Sequence, residues 1–569
     1  MRLKASNYWA RIMHCVHNNA DETYVSSALP TGGYLSRSCT PQVMAESIEV
    51  VERSININDK LGPKLLAAAE QNAILRIGWN PAGDKVPKNG ELGLCPALPK
   101  GSRMRGLGVF GSWIASYGQG GAFTIQGDAG SFLGAGNDGN TILCERMAGN
   151  HAGYAMRNGR ITILDGVGND AGAKMTGGLI IIRGSTGSRI GGGMSDGLIV
   201  VHGDVGGEPG SGMTGGRIVI NGRCPTPPSG VSLRPLTAKE VKEINALLGE
   251  ADLEIPKDAV CLTPSPTLNV EGRGNVVSSG DLTGIGLVPS DDHQLANYSV
   301  ADTIALIGER KGKNTPIALP LPLLPIVPSG EDLFIDKNED AIASNILSQQ
   351  PFITLDSPRP IDIVLINSEN LPDMPRLLSN AGGIAFDLDD LPAMNSEEMD
   401  GMLVATTYLV GYSAPVLFIQ GLGRIQSLHV RSSHHNIDLA VTRIEDGSGL
   451  PESASLPLIG RSSKSHLEGT NTQAGILLGF SADGHDLAIL KASGISVICC
   501  EVPMVEATDL ANWLSSISID INAILRRLGL SSIDELKRTH LRALDHETAA
   551  VSGLRLAGYE RPLPHWFAR

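Results

Sequence analysis

The sequence predicts a multi-domain protein, β plus α/β: a right-handed parallel β-helix over residues 104–224, then a degenerate α/β domain of TIM-barrel type over 301–569. Two observations predict the first and one predicts the second. A motif returns every 19 residues between Gly130 and Gly222. Glycine recurs so often inside each repeat that no helix fits there. Beyond 301, short apolar runs alternate with helical segments, the pattern of a parallel sheet, open or closed.

The repeat is a set of columns. Gly130, Gly149, Gly168, Gly187 and Gly206 form one, and Gly134, Gly153, Gly172, Gly191 and Gly210 a second. Met156, Met175, Met194 and Met213 form a third, with Asn137 in the slot before them. Ile142, Ile161, Ile180, Ile199 and Ile218 form a fourth, with Cys144, Ile163, Ile182, Val201 and Ile220 two residues later. Phe123 and Ile125 fit the register one repeat earlier. Each repeat therefore carries one short apolar stretch closed by a polar residue. A fixed period near 20 with one strand per period is a solenoid pattern. Glycine disfavours helix by about 1 kcal/mol per position and supplies the positive φ of sharp corners. Isoleucine and valine suit a pleated surface buried on one side. A flexible glycine linker has no reason to keep apolar residues in register.

Repeats such as Gly-Asn-Asp-Ala-Gly-Ala-Lys-Met-Thr-Gly-Gly-Leu-Ile-Ile-Ile-Arg-Gly (168–184) resemble the GXGXG β-helix. That domain closes the large subunit of glutamate synthase and also forms one of the polypeptides of formylmethanofuran dehydrogenase. The resemblance implies a scaffold that buttresses catalytic domains and carries no cofactor itself.

The chain has 569 residues, enough for three or four domains. The net charge of −14 argues against nucleic acid or an anionic membrane as partner. No apolar run is long enough to span a bilayer, and the most apolar stretch, Pro316–Pro328, is broken by prolines. Met1–Trp9 lacks the apolar core of a signal peptide. The eight cysteines (Cys15, Cys39, Cys95, Cys144, Cys224, Cys261, Cys499 and Cys500) contain no Cys-x-x-Cys pair. This argues against a zinc ribbon or an iron–sulfur cluster and for reduced thiols in a cytoplasm.

Residues 1–103 read as an N-terminal α/β cap region over the open end of the solenoid. Helices are expected at Pro41–Arg53 and Leu61–Ala73, and a turn at Asn80–Asp84. His14 and His17 lack a third converging ligand. The prolines after Cys224 are expected to end the sheet ladder. Ala238–Leu248 reads as a helix, with Thr237 as N-cap and Glu240 completing a capping box. Residues 225–300 form a connector, irregular after 250.

The following strands are expected at Ile361–Asn367, Ile384–Leu388, Val416–Gln420, Leu439–Arg443, Gly475–Gly479 and Ile495–Cys499. Helices are expected at Leu371–Asn380, Glu397–Val410 with Ser396 as N-cap, Asp509–Leu528 and Ser532–Arg538. The tail from Gly558, with Trp566 and Phe567, is expected to dock on something.

Ile521–Leu541 resembles the helix pair that ends the FMN-binding barrel of glutamate synthase, and Ser481–Ile498 resembles the family's phosphate loop, helix and strand. Here the sequence departs from the family. Asp483-Gly484-His485-Asp486 stands where the family has consecutive glycines, placing Asp486 where a phosphate would sit. Glu445–Pro451 likewise adds carboxylates to the second phosphate loop. Cys499-Cys500 stands in place of the spaced cluster cysteines. The expectation is an eroded relative without FMN or an iron–sulfur cluster. No residue is assigned to a cofactor or a metal, and no catalytic residue is assigned.

Some residues carry candidate chemistry. His434 and His435 after Arg431 are an anion-binding or acid–base pair, or else surface polar residues. Asp387, Asp389 and Asp390 end a strand, where α/β ligands bind, or form a solvated acidic loop. Gly421-Leu-Gly423-Arg424 is a weak phosphate-loop pattern. Cys499 and Cys500 read as buried small side chains, since a vicinal pair bridges only with strain.

The functional expectation is a non-catalytic or scaffold component of a glutamate-synthase-like complex, with amidotransferase and flavin-domain subunits as partners. The alternatives are an active FMN-dependent glutamate-synthase-type oxidoreductase, or a β-helix subunit of a formylmethanofuran-dehydrogenase-like complex.

Overall fold

A computed structural model describes residues 41–78, 90–248, 253–265, 304–306, 320–328, 341–444, 452–503, 506–557 and 559. His14, His17, the Asn80–Asp84 turn, Glu445–Pro451 and almost all of the tail from Gly558 lie outside these residues.

Helix α1 (Pro41–Glu70) is one element where two were expected. Pro63 sits inside it without ending it. Strands β1 (Ile74–Ile77), β2 (Arg103–Leu107), β3 (Ala122–Gln126), β4 (Asp138–Cys144), β5 (Asn158–Ile163), β6 (Thr176–Ile182), β7 (Asp196–Val201) and β8 (Arg217–Ile220) follow. They pair in parallel, each with the next in sequence. The register keeps the columns aligned: Ile142 pairs Ile161, Ile161 pairs Ile180, Ile180 pairs Ile199, and Ile199 pairs Ile218. These isoleucines and Met156, Met175 and Met194 are wholly buried in one core.

Parallel bridges Ala129–Ala148, Ala148–Val167 and Val167–Thr186 make a second ladder outside the main strands. The second glycine column has positive φ at each member, from +63° at Gly134 to +72° at Gly210. At Gly172 an added Cβ would lie 2.5 Å from Ile199 Cδ1, so the column also admits the neighbouring isoleucine.

The prolines after Cys224 end the parallel ladder but not the sheet. β9 (Val231–Pro235) follows, then α2 (Ala238–Leu248), then β10 (Val260–Pro264), which pairs antiparallel with both β8 and β9. Part of the expected connector is thus the sheet's last edge. The capping box is present: Thr237 Oγ1 accepts from Glu240 N at 3.3 Å, and Thr237 N donates to Glu240 at 2.8 Å.

The second part is a closed barrel of eight parallel strands with neighbours in sequence order. β11 (Ile304–Leu306) precedes it. The barrel strands are β12 (Leu323–Ile326), β13 (Ile353–Thr354), β14 (Ile363–Ile366), β15 (Gly383–Asp387), β16 (Val416–Gly421), β17 (Leu439–Arg443), β18 (Gln473–Leu478) and β19 (Val497–Glu501). Helices α3 (Ala341–Leu347), α4 (Met374–Leu378), α5 (Ser396–Val410), α6 (Ile425–His434), α7 (Glu452–His466) and α8 (Gly484–Ala492) lie between successive strands at every step but β13 to β14, and α9 (Ala507–Leu528) follows β19. β20 (Leu541–Ala543), which pairs with β11, and α10 (His546–Ser552) complete the described chain.

The first two barrel strands, β12 and β13, were not among the strands expected from the sequence. β12 lies inside the proline-broken Pro316–Pro328 stretch and carries Pro325, which cannot donate to the ladder. The N-cap of α5 is Asn395, not Ser396, closing a box with Glu398. Ser532–Arg538 holds one short 3₁₀ turn, Ile533–Glu535, rather than a helix, although Ser532 caps it, and a second turn begins at Arg538.

One core joins the sheet to the barrel. Trp113, Tyr117, Phe132 and Tyr154 pack with Leu371, Met374, Met399 and Met402. Trp113, Phe132 and His151 stack one on another with centroids 4.7 Å apart. All three have positive φ and occupy one column at 19-residue spacing. Gly93 brings the chain so close to α5 that a Cβ would lie 2.6 Å from Gly401 O.

Candidate functional site: the barrel mouth

Side chains alternate across each barrel strand. Ala385, Leu417, Ile419, Leu439, Val441, Leu477, Val497 and Cys499 form the lumen core. In the same alternation Asp387, Gly421, Arg443 and Glu501 end their strands on the lumen side. The C-terminal ends of barrel strands are where such folds place their chemistry.

Three of these residues are joined. Arg443 Nη2 donates to Asp387 at 2.6 Å, and Nη1 donates to Asp389 at 3.0 Å. Gly421 stands on the strand between and has no side chain to obstruct the reach. Its N–H donates to Asp389 at 2.8 Å, and Asp387 accepts from Asp389 N at 3.1 Å. The pairs are a quarter exposed or less at Arg443 and Asp387. Asp390 accepts from Ser368 N at 2.6 Å. The result is oriented charge fixed over an apolar lumen, able to hold polar groups of a ligand in one direction.

The structure thus brings Asp387 and Asp389 together and gives them a cation. Arg443, their partner, was not singled out in sequence. The available signal was a basic residue ending one strand two places after a strand ending in acids. The Gly421-Leu-Gly423-Arg424 pattern forms a 3₁₀ turn, Leu422–Arg424, and the N–H of Gly421 is taken by a carboxylate of the chain itself.

His434 and His435 lie on the outer helices, away from this cluster. His435 Nδ1 is 2.7 Å from Asp400 Oδ1, and His434 Nδ1 is 3.4 Å from Ser396 Oγ. They tie α6 to α5, and burial pushes the His434 pKa down. Cys499 faces the lumen and Cys500 the helices, both fully buried. Burial pushes the Cys500 thiol up to about 12.

The loop after the seventh strand does not fit a phosphate. Asp483 caps α8 and accepts from His485 N at 2.8 Å and Asp486 N at 2.9 Å. Asp486 returns the bond to Asp483 N at 3.2 Å. The N–H groups that would cradle an anion are therefore occupied by carboxylate. Gly484 has another cause: a Cβ there would lie 2.4 Å from Asp520 Cβ on α9. Ser481 Oγ donates to Glu501 O at 2.9 Å and staples this loop to the next.

The sheet reaches this rim. The Tyr154 hydroxyl bonds Ser368, and its pKa is raised first by burial and then by nearby Asp390. Arg157 forks onto Asp373 at 3.0 and 2.7 Å.

No family model and no curated protein matches this chain. Solved structures do. Flavocytochrome b2 with sulfite bound is 12% identical over 45% of this chain and 79% of that one, with a TM-score of 0.33. An active mutant of (S)-mandelate dehydrogenase is 13% identical over 43% and 88%, with a TM-score of 0.32. A likeness at these scores carries no argument about what this chain does. The expectation of a chain without a cofactor does not stand beside neighbours that include the flavin-binding domain of baker's yeast flavocytochrome b2. Among the described residues, no helix is long and apolar enough to cross a membrane, and no cluster of three or more metal-binding side chains occurs.

Proposed function

We propose that this chain is a flavin-dependent oxidoreductase of glutamate-synthase type that works at its barrel mouth. The observation that carries the reading is the Asp387–Arg443–Asp389 set over a closed parallel barrel. The stacked sheet is read as one face of a right-handed parallel β-helix that buttresses the barrel. The second ladder at Ala129, Ala148, Val167 and Thr186 supports this, as does the constant 19-residue return.

The group would be FMN, which supplies electron transfer when bound. The seventh-strand loop does not fit its phosphate. The other segment that the resemblance assigns to a phosphate, Glu445–Pro451, lies outside the described residues. What the chain's own residues supply is fixed charge: Arg443 presents a guanidinium at the lumen end, and Asp387 and Asp389 hold it there.

A second reading, an architectural component beside amidotransferase and flavin-domain subunits, is favoured by Asp483 closing α8 and by the core shared between sheet and barrel. The visible spectrum of the purified protein separates the two. A flavin band that is released on unfolding, and weakened in Arg443→Met, supports the first. A colourless protein that takes up no added FMN overturns it.

A further inference from the structure

We propose that a cavity at the pole of the barrel opposite the mouth binds a small zwitterion, an amino acid with an aliphatic side chain. The cavity has a volume of about 390 Å³, within the roughly 300–1,000 Å³ of small-molecule sites. It lies between α7 and the turns that lead into β18 and β19, lined by Gln473 and by Ser493, Gly494 and Ser496. The rim chemistry at Asp387 and Arg443 is at the other end of the strands, so this site is independent of the function proposed above.

The lining is built in three parts. Leu456, Ile459 and Leu467 form an apolar wall. Lys464, in the last turn of α7, brings a cation. Glu468 brings an anion, and the C-terminus of α8 at Ser493 adds the negative end of a helix dipole. A ligand with a carboxylate, an ammonium and a hydrocarbon side chain matches all three. Gln473 is nine-tenths buried, and its Oε1 has no hydrogen-bond partner among the described residues.

A separate observation is Gly460. It sits in the interior of α7 and lines the cavity. A Cβ there would meet nothing within 4 Å. Alanine would fit at no steric cost and would favour the helix. Packing against the described residues therefore does not require glycine, whereas a ligand lying close to the helix backbone does. Gly494, across the cavity, is fixed as glycine by its φ of +97°.

Calorimetric titration of the full chain with L-leucine tests this, alongside isopentylamine, which lacks the carboxylate, and isocaproate, which lacks the ammonium. The expected result is saturable binding of leucine at one site, with each truncated analogue about tenfold weaker or worse. Gly460→Phe fills the cavity and abolishes binding, while circular dichroism shows the fold retained. Lys464→Met weakens leucine and isocaproate but leaves isopentylamine unchanged. Glu468→Gln weakens leucine and isopentylamine but leaves isocaproate unchanged. No binding of leucine up to about 10 mM, equal binding by folded Gly460→Phe, or indifference to both charge variants would each overturn the proposal.

Discussion

Arg157 of the stacked sheet grips Asp373 of the barrel with two parallel bonds, Nη1 to Oδ1 at 3.0 Å and Nη2 to Oδ2 at 2.7 Å. The pair stands where the corner after Met156 meets the loop after β14. It fixes the sheet's position beside the rim that carries Asp387 and Arg443.

Removing this pair weakens the junction rather than either part. Both side chains are about a third exposed, so a double-mutant cycle on Arg157→Ala and Asp373→Ala is expected to give a coupling of about 0.5–1 kcal/mol. Hydrogen bonding to Arg157 lowers the Asp373 pKa below the usual carboxylate range. Its contribution is therefore present above the unfolded-state pKa near 3.9. It is lost as pH falls through the lower folded-state value. A coupling unchanged in strong acid would contradict this.

Gly93 is held at a φ of +56°, and a Cβ there would lie 2.6 Å from Gly401 O and 2.7 Å from Ala405 N. Both atoms belong to the backbone of α5 and cannot swing aside. Gly93→Ala is expected to cost about 2–4 kcal/mol in urea unfolding. Gly101→Ala, at φ +80° with nothing within 4 Å, is the control and costs only the left-handed backbone strain, about 1–2 kcal/mol. Equal losses would show that strain, not the approach to α5, decides.

His429 on α6 is fully buried, with Nδ1 2.8 Å from Ser462 Oγ. Burial lowers its pKa to about 4, against a smaller raising effect from Ser462. The unfolded state, titrating near 6.5, takes up the proton first. Stability is therefore full above about pH 6.5 and falls as pH drops towards 4, by roughly 2–4 kcal/mol. Urea midpoints across this range should show the slope, and His429→Gln, which does not titrate, should remove it.

Cys499 and Cys500 are buried on opposite faces of β19, and burial raises both thiols above their ordinary range. Since the thiolate is the reactive form, iodoacetamide at about pH 8 should leave both unmodified in the native protein and label both after unfolding. Peptide mass spectrometry reads the outcome. Native labelling at either would show that the barrel wall opens at that strand.

Local chemistry was legible in the sequence wherever one segment contained both partners. Thr237 and Glu240 are three residues apart, and their capping box forms as read. Leu439–Arg443 is a strand with the expected bounds. Asp486 lies in the first turn of α8, where its carboxylate completes a capping box with Asp483. The first barrel strand was not legible. Pro325 argues against a central strand, and β12 is held by pairing with β13 and β19 and by burial of Leu323 and Leu324.

The sequence by itself determined the spacing of the repeats, most of the alternation of strand and helix, and the Thr237–Glu240 cap, because each depends on residues that are neighbours along the chain or recur at a fixed interval. Only the tertiary structure decided that the sheet closes into a barrel and that Arg443 reaches Asp387 over a glycine. It also decided that Tyr154 and Arg157 meet the barrel's rim. Those contacts join residues tens to hundreds of positions apart, and no local pattern encodes which distant strand or corner will lie beside another once the core has packed.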